Sequence, residues 1–258
     1  IPVLSIDGEK LVKTVKFKKP NYIGDPINAI KIFNDKEVDE IVVLDITASK
    51  KNKAPNFRLV QKMAGECFIP LGYGGGITSL DHAKKLFDSG VEKIILNSAL
   101  QKNIQLLGDI SSVYGSQSVV ASLDIKKSWL GKQQSSFISA SKNNTISVVE
   151  YAKKLEEHGA GEIIIHNVDR DGTFLGYDHG LIQQIASQVT IPVVACGGAN
   201  SLEDLFQAIF LVSPFIQSKP STSPSSLCEV NNCIPRQIPI TGTFSSNAFL
   251  FNTSTKSR

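Results

Sequence analysis

The sequence predicts an α/β protein, a (β/α)8 TIM barrel built of two half-barrels whose eighth unit is missing or garbled. Three observations lead to this fold class. Short, nearly continuous apolar runs alternate with longer amphipathic stretches, which indicates buried parallel strands joined by helices. The length of 258 residues suits a single barrel, which typically needs about 250. A strand–glycine–helix segment occurs twice, as expected for two similar halves.

Seven short runs rich in β-branched residues are predicted to be barrel strands. They lie at 2–6, 40–45, 69–73, 93–97, 118–124, 162–168 and 191–196. Apolar residues at helical spacing predict helices between them, including 26–36, 56–64, 79–89, 148–158 and 179–186.

No eighth strand and helix can be recognised after residue 212. Twenty of the 46 residues in 213–258 are Ser, Thr or Pro, and the prolines leave no room for a long helix. The sequence therefore predicts barrel units one to seven at 1–212. It predicts a Ser/Thr/Pro-rich tail at 213–258 that is disordered or poorly packed. A shifted reading frame after about Val212 would also produce such a tail.

Composition excludes several classes of function. The net charge of +3 is too small to predict binding to nucleic acid or to a membrane surface. No apolar run approaches the roughly 20 residues that span a bilayer. Four cysteines without CxxC or zinc spacing are typical of reduced thiols in the cytoplasm. Dinucleotide, Walker and HExxH motifs are absent from the sequence, so neither a cofactor nor a metal is predicted.

The repeated segment predicts phosphate binding. Residues 69–80 match residues 191–202, an offset of 122, and each copy has an apolar strand, glycines and a helix start at Ser79 or Ser201. Glycine N–H groups and a helix N-terminus together attract phosphate. Two copies half a barrel apart predict two phosphate pockets and a substrate phosphorylated at both ends. The alternative is that the glycines only serve tight turns.

Carboxylates follow three of the predicted strands. Asp45 and Asp124 end theirs, and Asp169 and Asp171 lie just beyond a third. In a barrel the carboxyl ends of all strands share the face that carries the active site. Partial burial there raises the pKa of a carboxyl group toward the range useful for proton transfer. Capping of the following loop is the alternative role for each.

Together these motifs resemble the cyclase subunit of imidazole glycerol phosphate synthase. The resemblance covers about residues 1–210. The segments that carry it are LDITAS at 44–49, GGGI at 74–77, LNSA at 96–99, LDIK at 123–126, GAGEI at 159–163, DRDGT at 169–173 and CGGA at 196–199. In this family a glutaminase partner releases ammonia, which crosses the barrel core and reacts with a bis-phosphorylated ribulosyl carboxamide. The products are imidazole glycerol phosphate and an aminoimidazole carboxamide ribotide.

The resemblance implies a role for each matching residue. Asp124 would be one of two catalytic aspartates. One phosphate would be held by Gly75, Gly76, Asn97 and Ser98, and the other by Asp171, Gly172, Thr173, Gly197 and Gly198. Charged residues at strand starts would gate ammonia at the N-terminal face, where the glutaminase subunit would dock; they are Glu40, Lys93 and Glu162. Ordinary salt bridges are the alternative for these three.

The sequence departs from the family at the other catalytic aspartate, whose position is taken by Ser5. Serine cannot act as a carboxylic acid. Asp7 would face the same side of the strand, displaced by roughly 7 Å. The segments 11–18 and 21–26 resemble a paralogous branch linked to amidination of acetamido sugars in surface polysaccharides. Three functions therefore stay open: the histidine-pathway cyclase, that paralogue, and a non-catalytic scaffold that conducts ammonia.

Two further features are candidates near the same face. His166, near the end of a predicted strand, is either a substrate contact or a packed histidine. The polar loop at 126–145 is either a lid that excludes water or a plain surface excursion.

Overall fold

A computed structural model describes residues 1–127, 133–135 and 146–212. Its strands in chain order are β1 (Val3–Asp7), β2 (Lys10–Val15), β3 (Lys18–Gly24), β4 (Ile41–Asp45), β5 (Leu71–Gly74), β6 (Lys93–Leu96), β7 (Val119–Lys127), β8 (Gln133–Ser135), β9 (Glu162–Asn167) and β10 (Val193–Cys196). Its α-helices are α1 (Pro26–Asp35), α2 (Phe57–Glu66), α3 (Leu80–Asp88), α4 (Leu106–Tyr114), α5 (Val148–Glu157), α6 (His179–Ala186) and α7 (Leu202–Val212).

The predicted α/β fold class is confirmed. Seven parallel strands lie in the order β10-β9-β7-β6-β5-β4-β1, and each corresponds to one of the predicted runs. Helices connect them, as βαβ units require. The hairpin β2–β3 pairs antiparallel with β1 and was not predicted, and β8 pairs antiparallel with β7.

The parallel sheet is curled around an apolar interior. One buried cluster contains residues from six of the seven parallel strands, including those at both ends of the order, β1 and β10. Its members are Val3, Val42, Ile95, Val120, Ile164, Val194 and Cys196. A second, larger cluster packs the other face of the sheet against the helices. Alternate residues of each strand therefore serve two cores, as in a barrel.

The two halves share the repeated strand–glycine–helix geometry. Gly75 and Gly76 after β5 have positive φ angles, as do Gly197 and Gly198 after β10. Ser79 accepts a hydrogen bond from the backbone of α3, and Ser201 accepts one from the backbone of α7. The helix starts predicted at Ser79 and Ser201 are confirmed, and each serine caps its helix.

Some predictions concern residues outside those described. The Ser/Thr/Pro-rich tail at 213–258, with the missing eighth unit, lies beyond the described ranges. Most of the candidate lid at 126–145 does too. Within the described ranges, no helix has the length and apolar character to cross a membrane.

Candidate functional site

A cavity opens at the carboxyl ends of the parallel strands, where a barrel places its active site. Seven of the fifteen predicted site residues line it: Asp45, Gly75, Gly76, Asn97, Ser98, Asp124 and Asp171. Ser5, Lys50 and His166 line it as well, and the hairpin β2–β3 region contributes Thr14 and Phe17.

The glycines after β5 allow the loop after β4 to lie against them. Gly76 has φ +72, and a Cβ there would lie 2.5 Å from the carbonyl oxygen of Lys53. A Cβ on Gly75 would lie 2.5 Å from the carbonyl oxygen of Asp45. The Gly76 N–H donates to Ser49 Oγ at 3.3 Å. A bare backbone and a hydroxyl thus form one wall of the cavity, a surface suited to an anion.

A second wall comes from the segment after β6. A short 3-10 helix, Ser98–Gln101, begins there, and none of the described side chains caps its first turn. Asn97 Oδ1 is buried and has no hydrogen-bond partner among the described residues. Uncapped helix starts offer N–H groups to phosphate oxygens. This wall and the glycine wall face the same cavity.

Asp45 has the loop-capping role. Its Oδ1 accepts hydrogen bonds from the backbone N–H groups of Thr47 and Ala48, both at 2.9 Å, and from the Thr47 hydroxyl at 3.1 Å. These bonds fix the loop whose Ser49 meets Gly76. Asp45 therefore shapes the cavity wall.

Asp124 is the carboxylate best placed for proton transfer. Burial raises the pKa of its carboxyl group, and Asp171 adds to the rise, whereas His166, a hydrogen bond with Asn97, and Lys50 oppose it. A carboxyl group with a raised pKa exchanges protons more readily near neutral pH.

Asp171 is engaged by neighbouring side chains. Its Oδ1 lies 3.3 Å from His166 Nε2, and its Oδ2 accepts a hydrogen bond from Thr14 Oγ1 at 3.2 Å. The Lys16 N–H donates to its backbone carbonyl at 2.9 Å. The loop after β9 and the hairpin are therefore joined directly over the site.

Of the five residues predicted to hold the second phosphate, Asp171 alone lines this cavity. Gly172, Thr173, Gly197 and Gly198 do not line it. The Gly198 carbonyl accepts a hydrogen bond from Gly176 N–H at 2.7 Å. At the start of α7, the Asp204 carboxylate accepts from the N–H groups of Asn200 and Ser201. These contacts agree with the alternative in which glycines permit close backbone packing.

Asp7 is also separate from the site. It does not line the cavity, and its Oδ1 pairs with Lys51 Nζ at 3.1 Å. The hydrogen bond from Lys51 lowers the pKa of the Asp7 carboxyl group. Asp7 is thus held as a partly exposed carboxylate and is not positioned to replace the acid missing at Ser5.

The three charged residues predicted to gate ammonia, here called the charged ring, come together at the N-terminal ends of the strands, opposite the cavity. Lys93 Nζ lies 2.8 Å from Glu40 and 2.9 Å from Glu162, and all three side chains are largely buried. Burial raises the pKa of Glu162, and Lys93 opposes that rise. Burial would lower the pKa of Lys93, but Glu162 and Glu40 outweigh it and raise the pKa. Lys93 and Glu162 therefore stabilise each other's charged form.

Substitution of Gly76 tests whether the glycine wall of the cavity needs a residue without a side chain. We expect Gly76→Ala to destabilise the fold and to weaken binding of inorganic phosphate, because the new Cβ would meet the Lys53 carbonyl. Gly8→Ala is the matched control: Gly8 has φ +64, but a Cβ there would have no atom within 4 Å. Both substitutions carry the strain of a positive φ, about 1–2 kcal/mol. Urea unfolding and calorimetric phosphate titration should show larger losses of stability and of phosphate affinity for Gly76→Ala. Equal losses in the two variants would contradict the role of the glycine wall.

Comparison with known proteins agrees with this geometry. Residues 1–213 match the family described as "Histidine biosynthesis protein". A Pseudomonas aeruginosa protein, provisionally named imidazole glycerol phosphate synthase subunit hisF2, is 50% identical over 205 residues, covering 80% of this chain and 82% of the relative. A Leptospira borgpetersenii protein, provisionally named imidazole glycerol phosphate synthase subunit HisF, is 46% identical over 206 residues, covering 80% of this chain and 81% of the relative. The imidazole glycerol phosphate synthase subunit HisF of Chlorobium phaeobacteroides is 39% identical over 208 residues, covering 80% and 82%.

Proposed function

Because the chain belongs to the histidine biosynthesis family that contains the cyclase subunit of imidazole glycerol phosphate synthase, we propose that it is an ammonia-using synthase subunit. Its substrate is a bis-phosphorylated ribulosyl carboxamide, and its products are imidazole glycerol phosphate and aminoimidazole carboxamide ribotide. One observation carries the proposal: Asp124 shares a cavity with the anion-binding walls formed by Gly75–Gly76 and Asn97–Ser98.

The cavity suits a phosphorylated carbonyl compound. The Ser49 hydroxyl at the glycine wall and the backbone N–H groups at the start of the 3-10 helix would bind one terminal phosphate, with Lys50 adding positive charge. The rest of the substrate would then reach Asp124, which can accept a proton from attacking ammonia and return it to a leaving oxygen. The second phosphate would be bound near the loops that contain Gly172 and Gly198.

The opposite face suits a partner that supplies ammonia. Glu40, Lys93 and Glu162 surround the base of the curled sheet, and apolar side chains of the inner cluster separate them from the cavity. A small neutral molecule such as ammonia is the kind of nucleophile that could cross an apolar interior. We propose that a glutaminase subunit docks at this N-terminal face and that the charged ring gates ammonia entry.

The direct test uses ammonium salt in place of a partner. Purified protein with the ribulosyl carboxamide substrate and ammonium chloride should form both products, and the rate should increase with the concentration of free ammonia. Absence of turnover at saturating ammonia would contradict the proposed reaction. Adding a glutaminase subunit and glutamine should restore turnover at low ammonia if the partner docks as proposed.

Ser5 favours a second candidate function. A hydroxyl lines the cavity where the cyclase family is expected to have its other catalytic acid. A paralogue could therefore make ammonia available for amidination of an acetamido sugar, and a scaffold without activity of its own would only conduct ammonia. Ser5→Asp separates these cases: a gain in cyclase turnover supports the proposed reaction, and no gain favours the paralogue or the scaffold. Neighbouring genes for nucleotide-sugar synthesis would support the paralogue.

A further inference from the structure

His166 is a buried histidine that faces the proposed reaction centre. It lies on β9, and the sheet register pairs it directly with Asp124 on β7. Residues opposite one another on adjacent parallel strands project to the same face of the sheet. Both residues line the cavity, and only 7% of His166 is exposed. An ionisable ring is therefore held beside the carboxyl group to which the proton transfer has been assigned.

The imidazole of His166 is oriented by its neighbours on two sides. Nε2 lies 3.3 Å from Asp171 Oδ1, and Thr14 Oγ1 fixes the other oxygen of that carboxylate at 3.2 Å. The Phe17 ring meets the imidazole edge-on, with 4.6 Å between ring centroids. The imidazole of His166, the carboxylate of Asp171 and the hydroxyl of Thr14 thus form a chain in which each member positions the next.

The charged surroundings of His166 favour its protonated form. Asp124 faces it from β7, Asp171 from the loop after β9, and Cys196 from β10, while the hairpin contributes the uncharged Thr14 and Phe17. Burial alone would lower the pKa of His166, but Cys196, Asp171 and Asp124 outweigh it and raise the pKa well above the ordinary value. This direction of the pKa shift favours the imidazolium form.

We infer that His166 is a catalytic proton donor that acts opposite Asp124, an inference that rests on the proposed function. As the ammonia lone pair forms the C–N bond, the carbonyl π pair moves to oxygen, which takes the proton of His166. The excess proton on nitrogen passes to Asp124. Asp124 then returns that proton to the hydroxyl, the C–O bond breaks to release water, and the iminium nitrogen gives a proton back to His166. An imine and water result, and both side chains are restored.

His166→Gln tests the inference, because glutamine fills similar space and accepts or donates hydrogen bonds but does not titrate. With ammonium as the nitrogen source, we expect kcat to fall about 10²- to 10⁴-fold with little change in KM for the phosphorylated substrate. A further readout is the pH profile at constant free ammonia. Since the acid form is lost above the pKa of His166, the wild-type rate should fall as pH rises through it. That alkaline limb should be missing in His166→Gln.

Two further variants keep the test decisive. His158→Gln is the matched control, because His158 is a half-buried residue after α5 that does not line the cavity, and its ring bonds to the Lys154 carbonyl. Its kcat and pH profile should equal those of wild type. Asp171→Asn should move the alkaline limb to lower pH, since it removes a carboxylate that favours the imidazolium, and this readout serves if His166→Gln fails to fold. Active wild type with an unchanged kcat and limb in His166→Gln overturns the inference and leaves the proposed function standing. Inactive wild type overturns the proposed function, and the assignment of His166 to that reaction with it.

Discussion

Asp124→Asn is expected to lower ammonia-dependent turnover by about 10²- to 10⁴-fold, the usual contribution of a positioned acid–base group. Asparagine has nearly the same shape as aspartate, but its amide neither accepts nor releases a proton near neutral pH. Burial raises the pKa of Asp124, which favours both uptake and release of a proton near neutral pH. Initial rates at saturating substrate and ammonia measure the effect.

Asp109→Asn provides the matched control for that variant. Asp109 is exposed on the first turn of α4 and does not line the cavity. The same chemical change there should leave turnover within about twofold of wild type, since a surface substitution of this kind alters stability by at most about 0.5 kcal/mol. If Asp124→Asn retained as much activity as Asp109→Asn, the role assigned to Asp124 would be wrong.

Lys93→Met is expected to lower the free energy of unfolding by about 3–5 kcal/mol, the cost of removing one member of a buried ion pair. Lys93 holds two buried carboxylates, Glu40 and Glu162, at 2.8 and 2.9 Å. Methionine preserves the apolar stem but leaves both carboxylates without their cation. Urea unfolding followed by circular dichroism measures the loss.

Lys84→Met separates burial from charge in that experiment. Lys84 pairs with Asp88 at 2.7 Å, but both side chains are exposed on α3. Exposed pairs of this spacing contribute only about 0.3–0.5 kcal/mol. A loss for Lys93→Met no greater than for Lys84→Met would show that the buried ring does not stabilise the barrel base.

The sequence predicted the fold and the charged ring because both depend on strand position. Parallel strands place all their starts at one face, so charges at three strand starts had to lie near one another. The same logic brought Asp124 and Asn97 to the opposite face. Register along a strand could not show that Lys51 would pair with Asp7 and hold it outside the cavity.

The hairpin over the site could not be predicted from its residues. Its chain reversals place Lys16, Phe17 and Lys19 at positive φ, a conformation usually taken by glycine or asparagine. Without that turn signal, nothing in the sequence indicated that Thr14 and Phe17 would reach Asp171 and His166.

The repeated segment did not predict that only one of its two glycine pairs would line the cavity. Both copies have glycines at positive φ, but the second pair packs against backbone, and α7 is capped by its own Asp204. Similar sequence therefore produced similar backbone geometry, while the surroundings decided which copy faces the cavity.

We propose that this chain adds ammonia to a phosphorylated carbonyl substrate at the cavity containing Asp124. The decisive measurement supplies ¹⁵N-labelled ammonium with the ribulosyl carboxamide and analyses the products by mass spectrometry. We expect one ¹⁵N atom in each imidazole glycerol phosphate formed, none in the carboxamide ribotide, and loss of both products in Asp124→Asn. Unlabelled imidazole product, or wild-type protein that forms no product at saturating ammonium, would contradict it.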